Sequence, residues 1–242
     1  MVEKYRKSLN ISVLIFENLL ENNDIKMSPK ELLQEYGKYT FQTLKKFYSM
    51  LEGGCERYLV LDSESLWIRN VSMEACAEDF FNSPRLIISD FDEQFAGEIK
   101  YGVKTTAEKL LSANVDKWFL EDFVCFYDIG ILNDLFYKFG SPMELAQKAL
   151  KIGRNGIFEV VLYQMYIYLN CDNYGYEIIN ISNELKKYLE KNDYSLYMHN
   201  FYKKFDGECG LFERALNLIN RKNLEGIAKM FIKYRINIFR CD

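Results

Sequence analysis

The stretch Ser28-Pro-Lys-Glu-Leu-Leu-Gln-Glu-Tyr-Gly37 carries both a start signal and a stop signal for a helix. Ser28 can cap the helix, a proline follows at the first helical position, and Glu31 stands three residues after the cap. Together these residues form a capping box with its preferred first residue. Gly37 can take the left-handed conformation that ends many helices. The stretch therefore predicts one short helix over residues 29–36.

The flanking sequence predicts two further helices and a hairpin. Before the first stretch, apolar residues recur on one helical face over residues 13–20. After it, following a short turn at Lys38 and Tyr39, Thr40 can cap a third helix that ends at Gly53-Gly54. Two β-prone runs then follow, residues 57–61 and 66–69, joined by a polar turn.

This order of elements over residues 10–70 resembles the winged helix-turn-helix family. The resemblance implies that the helix of residues 40–51 enters a DNA major groove while the hairpin wing lies along the backbone. Lysine suits phosphate or guanine contacts, and glutamine suits an adenine edge. The implied DNA-contacting residues are Gln42, Lys45, Lys46 and Ser49 on the third helix, Lys30, Lys38 and Tyr39 at helix ends, and Arg57 and Arg69 in the wing.

The sequence after residue 72 predicts a short connector followed by helices. Residues 73–81 predict a short helix, and residues 85–89 and 97–101 predict strands. From Thr105, which can open a capping box with Glu108, the pattern is helical. Later helices are predicted over residues 115–139 (with a break near residue 130), after a capping box at 141–144, over 158–169, and over 176–190, 195–205, 208–221 and 224–239.

The fold class predicted from these patterns is mainly α with a small β component. We expect a winged helix-turn-helix domain at residues 1–72 and an irregular α/β connector at 73–104. A larger, all-helical C-terminal domain at 105–242 would supply dimerisation or interaction surfaces. Its last part, residues 214–242, is locally basic and predicts either a solvated helix face or an additional nucleic-acid or acidic-partner contact.

Composition excludes several classes of protein. Hydrophobic residues make up 49% of the chain and charged residues 27%, so we expect it to fold. No apolar run reaches about 18 residues, the length of a membrane span. The 6 cysteines are dispersed and the 1 histidine, His199, has no cysteine beside it, so no metal ligand set, cofactor or catalytic residue is predicted. A cytoplasmic protein with free thiols is expected.

The function predicted from the resemblance is that of a transcriptional regulator which is not an enzyme. It would bind double-stranded DNA in a sequence-specific way as a homodimer. The alternative is a protein-interaction factor, such as an immunity protein or an inhibitor of a defence system. The net charge of −4 and the neutral balance of residues 1–70, with ten basic and ten acidic residues, favour that alternative.

A third hypothesis concerns Asp90 or Asp92 followed by Glu98-Ile99-Lys100. This spacing resembles the PD-(D/E)xK nuclease signature, in which two carboxylates hold Mg²⁺ and the lysine positions or activates water. The signature requires the aspartate at one strand and the E-x-K residues on the next strand. An acidic turn with a surface E-x-K sequence is the common alternative.

Overall fold

The computed structural model describes residues 13–61, 65–67, 72–91, 98–120, 125–153, 156–180, 182–183 and 238–240. Within these ranges the chain is mainly helical with a small strand component, as the sequence predicts. The helices are α1 (Phe16–Asn22), α2 (Pro29–Glu52), α3 (Met73–Asn82), α4 (Glu98–Leu111), α5 (Ile129–Phe139), α6 (Pro142–Ile152), α7 (Glu159–Leu169) and α8 (Cys171–Tyr174). The strands are β1 (Arg57–Val60), β2 (Ser65–Trp67), β3 (Arg85–Asp90), β4 (Lys117–Trp118), β5 (Cys125–Asp128), β6 (Glu177–Asn180) and β7 (Ile238–Arg240). No described helix combines the length and the hydropathy needed to traverse a bilayer.

The capping box at the start of α2 is confirmed. The Ser28 hydroxyl oxygen accepts a hydrogen bond from the Glu31 amide at 3.3 Å, and the Ser28 amide donates to the Glu31 carboxylate at 2.7 Å. The predicted stop at Gly37 is also present, because this residue has φ 76° and ψ 172°, which no helix contains. The chain resumes a helix directly afterwards, so α2 consists of two segments, residues 29–36 and 38–52, joined at a one-residue bend.

The short bend corrects two details of the sequence prediction. Lys38 and Tyr39, predicted as a turn, are helical. Thr40, predicted as an N-cap, is only 2% exposed, and its hydroxyl oxygen accepts a hydrogen bond from the Ile157 amide at 3.1 Å. The threonine therefore satisfies a backbone donor from a distant loop, a role that local spacing does not reveal.

The bend predicts a specific sensitivity at Gly37. We expect Gly37→Ala to lower the free energy of unfolding by about 1–3 kcal/mol, because a side chain disfavours this combination of positive φ and extended ψ. Gly153→Ala is the matched control, since Gly153 has an extended φ of 163° and no atom within 4 Å of an added Cβ. Urea unfolding of both variants measures the difference, and equal stabilities would contradict the assigned bend.

The two segments of α2 and the helix α1 share a small hydrophobic cluster with α6. Its buried members are Phe16, Leu19, Leu20, Leu32, Leu44, Tyr48 and Ala146. A second, larger cluster takes Phe47 and Met50 from the other side of α2, together with side chains from β3, β5 and α4 to α7. The later segment of α2 therefore packs on two cores at once, and only a narrow part of its surface faces solvent.

The predicted hairpin of β1 and β2 is wrong. β1 pairs antiparallel with β5, with Arg57 opposite Asp128 and Leu59 opposite Phe126, while β2 pairs antiparallel with β7. The run between β1 and β2 contains no two-residue turn of the Asn-Gly type, which would fix a local hairpin. In addition, Phe126 and Tyr127 of β5 are buried in the larger cluster, and the free energy gained by burying them favours β5 as the partner of β1.

Strand β3 lies at the centre of a three-stranded sheet with the order β4-β3-β6. It runs antiparallel to β4 and parallel to β6. Leu86, Ile87 and Ile88 are each at most 2% exposed, as expected of a strand that is covered on both faces. The prediction of a strand over residues 85–89 is thus confirmed.

The helix α4 overturns two predictions in the connector. Residues 98–101, predicted as part of a strand, form the first turn of α4, and Thr105, predicted as a helix cap, lies inside it. Val103, Ala107 and Leu110 recur at helical spacing on its buried face. Burial of this face against the core outweighs the β propensity of a short run.

The C-terminal region is not all-helical, in contrast to the prediction. The strands β4 and β5 occupy part of residues 115–139, so the helix there begins only at Ile129, and β6 replaces the start of the helix predicted at 176–190. The capping box at Ser141 and the buried helix at residues 158–169, observed as α7, are confirmed. The helices predicted at 195–205 and 208–221, and all but the end of 224–239, lie outside the described residues; residues 238–240 form β7.

Candidate functional site

Three of the nine predicted DNA-contacting residues form one exposed row on the later segment of α2. Lys38, Gln42 and Lys45 follow each other at spacings of four and three, which places them on one helical face. The Lys45 ammonium lies over the Phe41 ring, 5.6 Å from its centroid. This row, called the α2 ridge below, is the part of the predicted interface that the fold leaves accessible.

Three further predicted DNA-contacting residues, Lys30, Ser49 and Tyr39, are less accessible or lie apart from this row. Lys30 is exposed, but it belongs to the earlier segment of α2, beyond the bend at Gly37. Ser49 is half-buried. Tyr39 is also half-buried, and its ring lies edge-on to the Phe158 ring at 6.0 Å between centroids. Lys30 and Tyr39 therefore lie outside the row, whereas Ser49, four residues after Lys45, continues its direction but is half-buried.

Lys46 has a different partner from the one that the resemblance implies. Its ammonium lies 2.5 Å from Oε1 of Glu159, whose side chain is 0% exposed at the start of α7. The Thr43 hydroxyl donates toward Oε2 of the same carboxylate at 3.1 Å and toward the Ile157 carbonyl oxygen at 3.0 Å. The buried Glu159 carboxylate needs these partners, because a charge that is removed from water without compensation is costly in free energy. Lys46 is therefore paired inside the protein and is not part of the exposed row of Lys38, Gln42 and Lys45.

Of the two predicted wing residues, Arg57 lies in the described part of the chain. Arg57 is exposed on β1, where its guanidinium stacks on the Phe81 ring at 4.3 Å from the centroid. Arg69 lies outside the described residues. Because β1 pairs with β5 and not with β2, Arg57 does not stand on the predicted β1–β2 wing.

The charge around the ridge is close to neutral. Residues 13–61 contain six lysines and arginines against seven acidic residues, and the charge of Lys46 is already compensated by Glu159. Glu31 is bound in the Ser28 cap, and Glu52 accepts a hydrogen bond from the Asn23 amide group at 2.8 Å. Attraction to a polyanion would thus depend on a few ridge cations and be strongly screened by salt.

The E-x-K arrangement of the nuclease hypothesis is not formed. Glu98 is exposed at the first position of α4, whereas Lys100 is 2% exposed and lies 3.9 Å from the centroid of the Trp118 ring. Residues two apart share a face on a strand but point in different directions on a helix. Asp92 lies outside the described residues, which hold no cluster of three histidine, cysteine or acidic side chains that could bind a metal.

A polar cluster that the sequence does not predict joins the carboxyl ends of β3 and β6. The Asp90 carboxylate accepts hydrogen bonds from the ammonium of Lys117 and the amide group of Asn180, each at 2.9 Å. The Asp90 amide donates to the Ser182 hydroxyl at 2.6 Å. The hydrogen bond from Lys117, followed by that from Asn180, lowers the pKa of Asp90, and Asp90 in turn raises the pKa of Lys117.

This cluster predicts an acid-sensitive contribution to stability. Because the pKa of Asp90 is lowered in the folded protein, its contribution is present above the unfolded value, near 3.8, and is lost as the pH falls through the folded value. We expect Asp90→Asn to cost about 0.5–1 kcal/mol at neutral pH, a modest value because the side chain is 53% exposed. The cost should shrink in urea unfolding as the pH falls from about 5 through the lowered pKa of Asp90. A pH-independent cost would contradict this role.

No protein-family model, curated protein sequence or solved structure matches this chain.

Proposed function

We propose that the protein is a sequence-specific, DNA-binding transcriptional regulator, with residues 38–52 of α2 as its recognition helix. The observation that carries the proposal is the α2 ridge, Lys38, Gln42 and Lys45, exposed on a helix whose opposite faces are packed. A helix that enters a major groove needs this arrangement, because the inserted face must be polar and the helix must be held rigidly from behind.

Each ridge residue suits a defined contact. Lys38 and Lys45 would neutralise phosphates or approach guanine, and the Gln42 amide would pair with an adenine edge. The helix α1 and the earlier segment of α2 would form the supporting part of a helix-turn-helix variant, since they share the small hydrophobic cluster with Leu44 and Tyr48. The proposal does not use a β1–β2 wing.

The proposal includes binding as a homodimer to a pseudo-palindromic site. A single ridge offers two lysines, and the surrounding residues 13–61 are close to neutral, so one copy would have low affinity at physiological salt. Two copies on two half-sites would combine their contacts and would also read a longer sequence.

A second candidate function, a protein-interaction factor such as an immunity protein or an inhibitor of a defence system, is favoured by one observation. Val13, Leu14 and Ile15 are three consecutive apolar residues ahead of α1, and they are 54%, 48% and 53% exposed. Contiguous exposed apolar side chains are typical of protein contacts. The net charge of −4 is compatible with this candidate as well.

A retention experiment distinguishes the two functions. The purified protein is mixed with random-sequence duplexes at low salt, and the retained duplexes are sequenced as the salt is raised. Enrichment of one short palindromic sequence, with affinity that falls steeply with salt, would support the regulator. Absence of retention at low salt would reject it and leave the protein-interaction factor.

A further inference from the structure

A cleft of about 430 Å³ opens between β1, the end of α3, α5 and α8, away from the α2 ridge in the chain. Its size falls in the range of sites for small molecules, about 300–1,000 Å³. Aromatic rings of Phe81, Tyr174 and Tyr176 form part of its lining, together with the carboxylates of Asp128 and Asp134. The cleft thus combines aromatic walls with negative charge.

The two carboxylates are held in place but keep free acceptor capacity. Asp128 caps α5 by accepting a hydrogen bond from the Gly130 amide at 2.8 Å, and Asp134 accepts one from the Tyr174 hydroxyl at 2.9 Å. Each carboxylate has further lone pairs beyond these bonds. Within the part of the chain that the structure describes, neither carboxylate has a cation within ion-pair distance.

The tyrosines around these carboxylates are hydrogen-bonded and uncharged. The Tyr163 hydroxyl oxygen accepts a hydrogen bond from the Asp128 amide at 2.9 Å. Burial, followed by the charge of Asp128, raises the pKa of Tyr176 to about 12, so this ring stays neutral at physiological pH. The faces of neutral tyrosine rings attract cations, and they do so most strongly where water is displaced.

Arg57, the one cation among the lining residues, is engaged with the ring of Phe81. Its guanidinium stacks on Phe81 at 4.3 Å and is not paired with Asp128, although the two residues are opposite each other on β1 and β5. The cleft as a whole therefore carries one basic group against two carboxylates. A ligand with a positive group and an apolar body fits this balance better than an anion.

We propose that this cleft binds a small organic amine, with its ammonium group at Asp134 and its apolar body against the aromatic rings. Carboxylate and tyrosine would provide charge and hydrogen-bond recognition, and the rings would bury the body of the ligand. The site does not depend on the proposed DNA binding, since it uses different elements, and it is tested without DNA.

Calorimetric titration with phenethylamine tests the proposal, with 2-phenylethanol as the probe that has a similar body and no charge. We expect phenethylamine to bind the native protein at least about tenfold more tightly than 2-phenylethanol. Asp134→Asn should remove most of this preference. Asp172→Asn, an exposed change on the adjacent α8, should retain it.

Tyr174→Phe provides a second variant, because it removes the hydroxyl that orients Asp134 without removing the ring. We expect it to weaken phenethylamine binding by several-fold and so to reduce the preference for phenethylamine over 2-phenylethanol. Absence of measurable phenethylamine binding, equal affinity for the two probes, or an unaltered preference in Asp134→Asn would each overturn the proposal.

Discussion

Lys46→Met should lower the free energy of unfolding by about 3 kcal/mol, the largest effect that we expect from a single charged residue of α2. The substitution would leave the Glu159 carboxylate, which is 0% exposed, without its ammonium partner at 2.5 Å. The remaining hydrogen bond from Thr43 cannot compensate a buried negative charge. Urea unfolding followed by circular dichroism measures the change.

Two further variants separate the ion pair from other causes. Lys45→Met changes the neighbouring exposed lysine and should alter stability by less than about 0.5 kcal/mol. The double variant Lys46→Met/Glu159→Leu removes both charges and should return to within about 1 kcal/mol of the native protein, because apolar side chains can replace a buried pair. If Lys46→Met and Lys45→Met were equally stable, Lys46 would not be the internal partner of Glu159.

Features set by neighbouring residues could be predicted from the sequence. The capping boxes at Ser28 and Ser141 use a serine and a glutamate three positions apart, and both are present. The sequence of residues 158–169 is apolar nearly all round and predicts a buried helix, and most side chains of α7 are buried. The same applies to the stop at Gly37, where the conformational freedom of glycine is visible in the sequence itself.

Features set by distant partners could not be predicted. The β-prone run of β1 has no signal that selects β5, because pairing depends on where Phe126 and Tyr127 are buried. Residues 98–101 carry a strand-like pattern, but α4 is selected by the apolar face that continues beyond them. Short runs of apolar residues are ambiguous between helix and strand, and burial against the core decides between them.

In the candidate site, too, the features set by neighbouring residues could be predicted and those set by distant partners could not. Spacing alone correctly places Gln42 and Lys45 on an exposed face of α2. It cannot distinguish Lys45 from Lys46, since the difference arises from Glu159, which lies far along the chain. The Asp90 cluster was missed for a similar reason, because Asn180 and Ser182 reach Asp90 only through the parallel pairing of β3 with β6.

The second large effect concerns DNA affinity. Lys38→Ala/Lys45→Ala removes both cations of the α2 ridge and changes no buried member of either hydrophobic cluster, so the variant should fold like the native protein. If both lysines contact phosphates, the slope of log affinity against log salt should fall by about 2 in magnitude for each protein copy on the duplex. Affinity at low salt should fall at least about tenfold.

The decisive measurement is a salt series of fluorescence anisotropy titrations on a retained duplex, comparing the native protein with Lys38→Ala/Lys45→Ala. The matched control is Lys109→Ala/Lys151→Ala, which removes two exposed lysines from α4 and α6 and leaves the same net charge. The proposed interface predicts a lower affinity and a shallower salt slope for the ridge variant alone. Equal losses in both variants, or none in either, would contradict it.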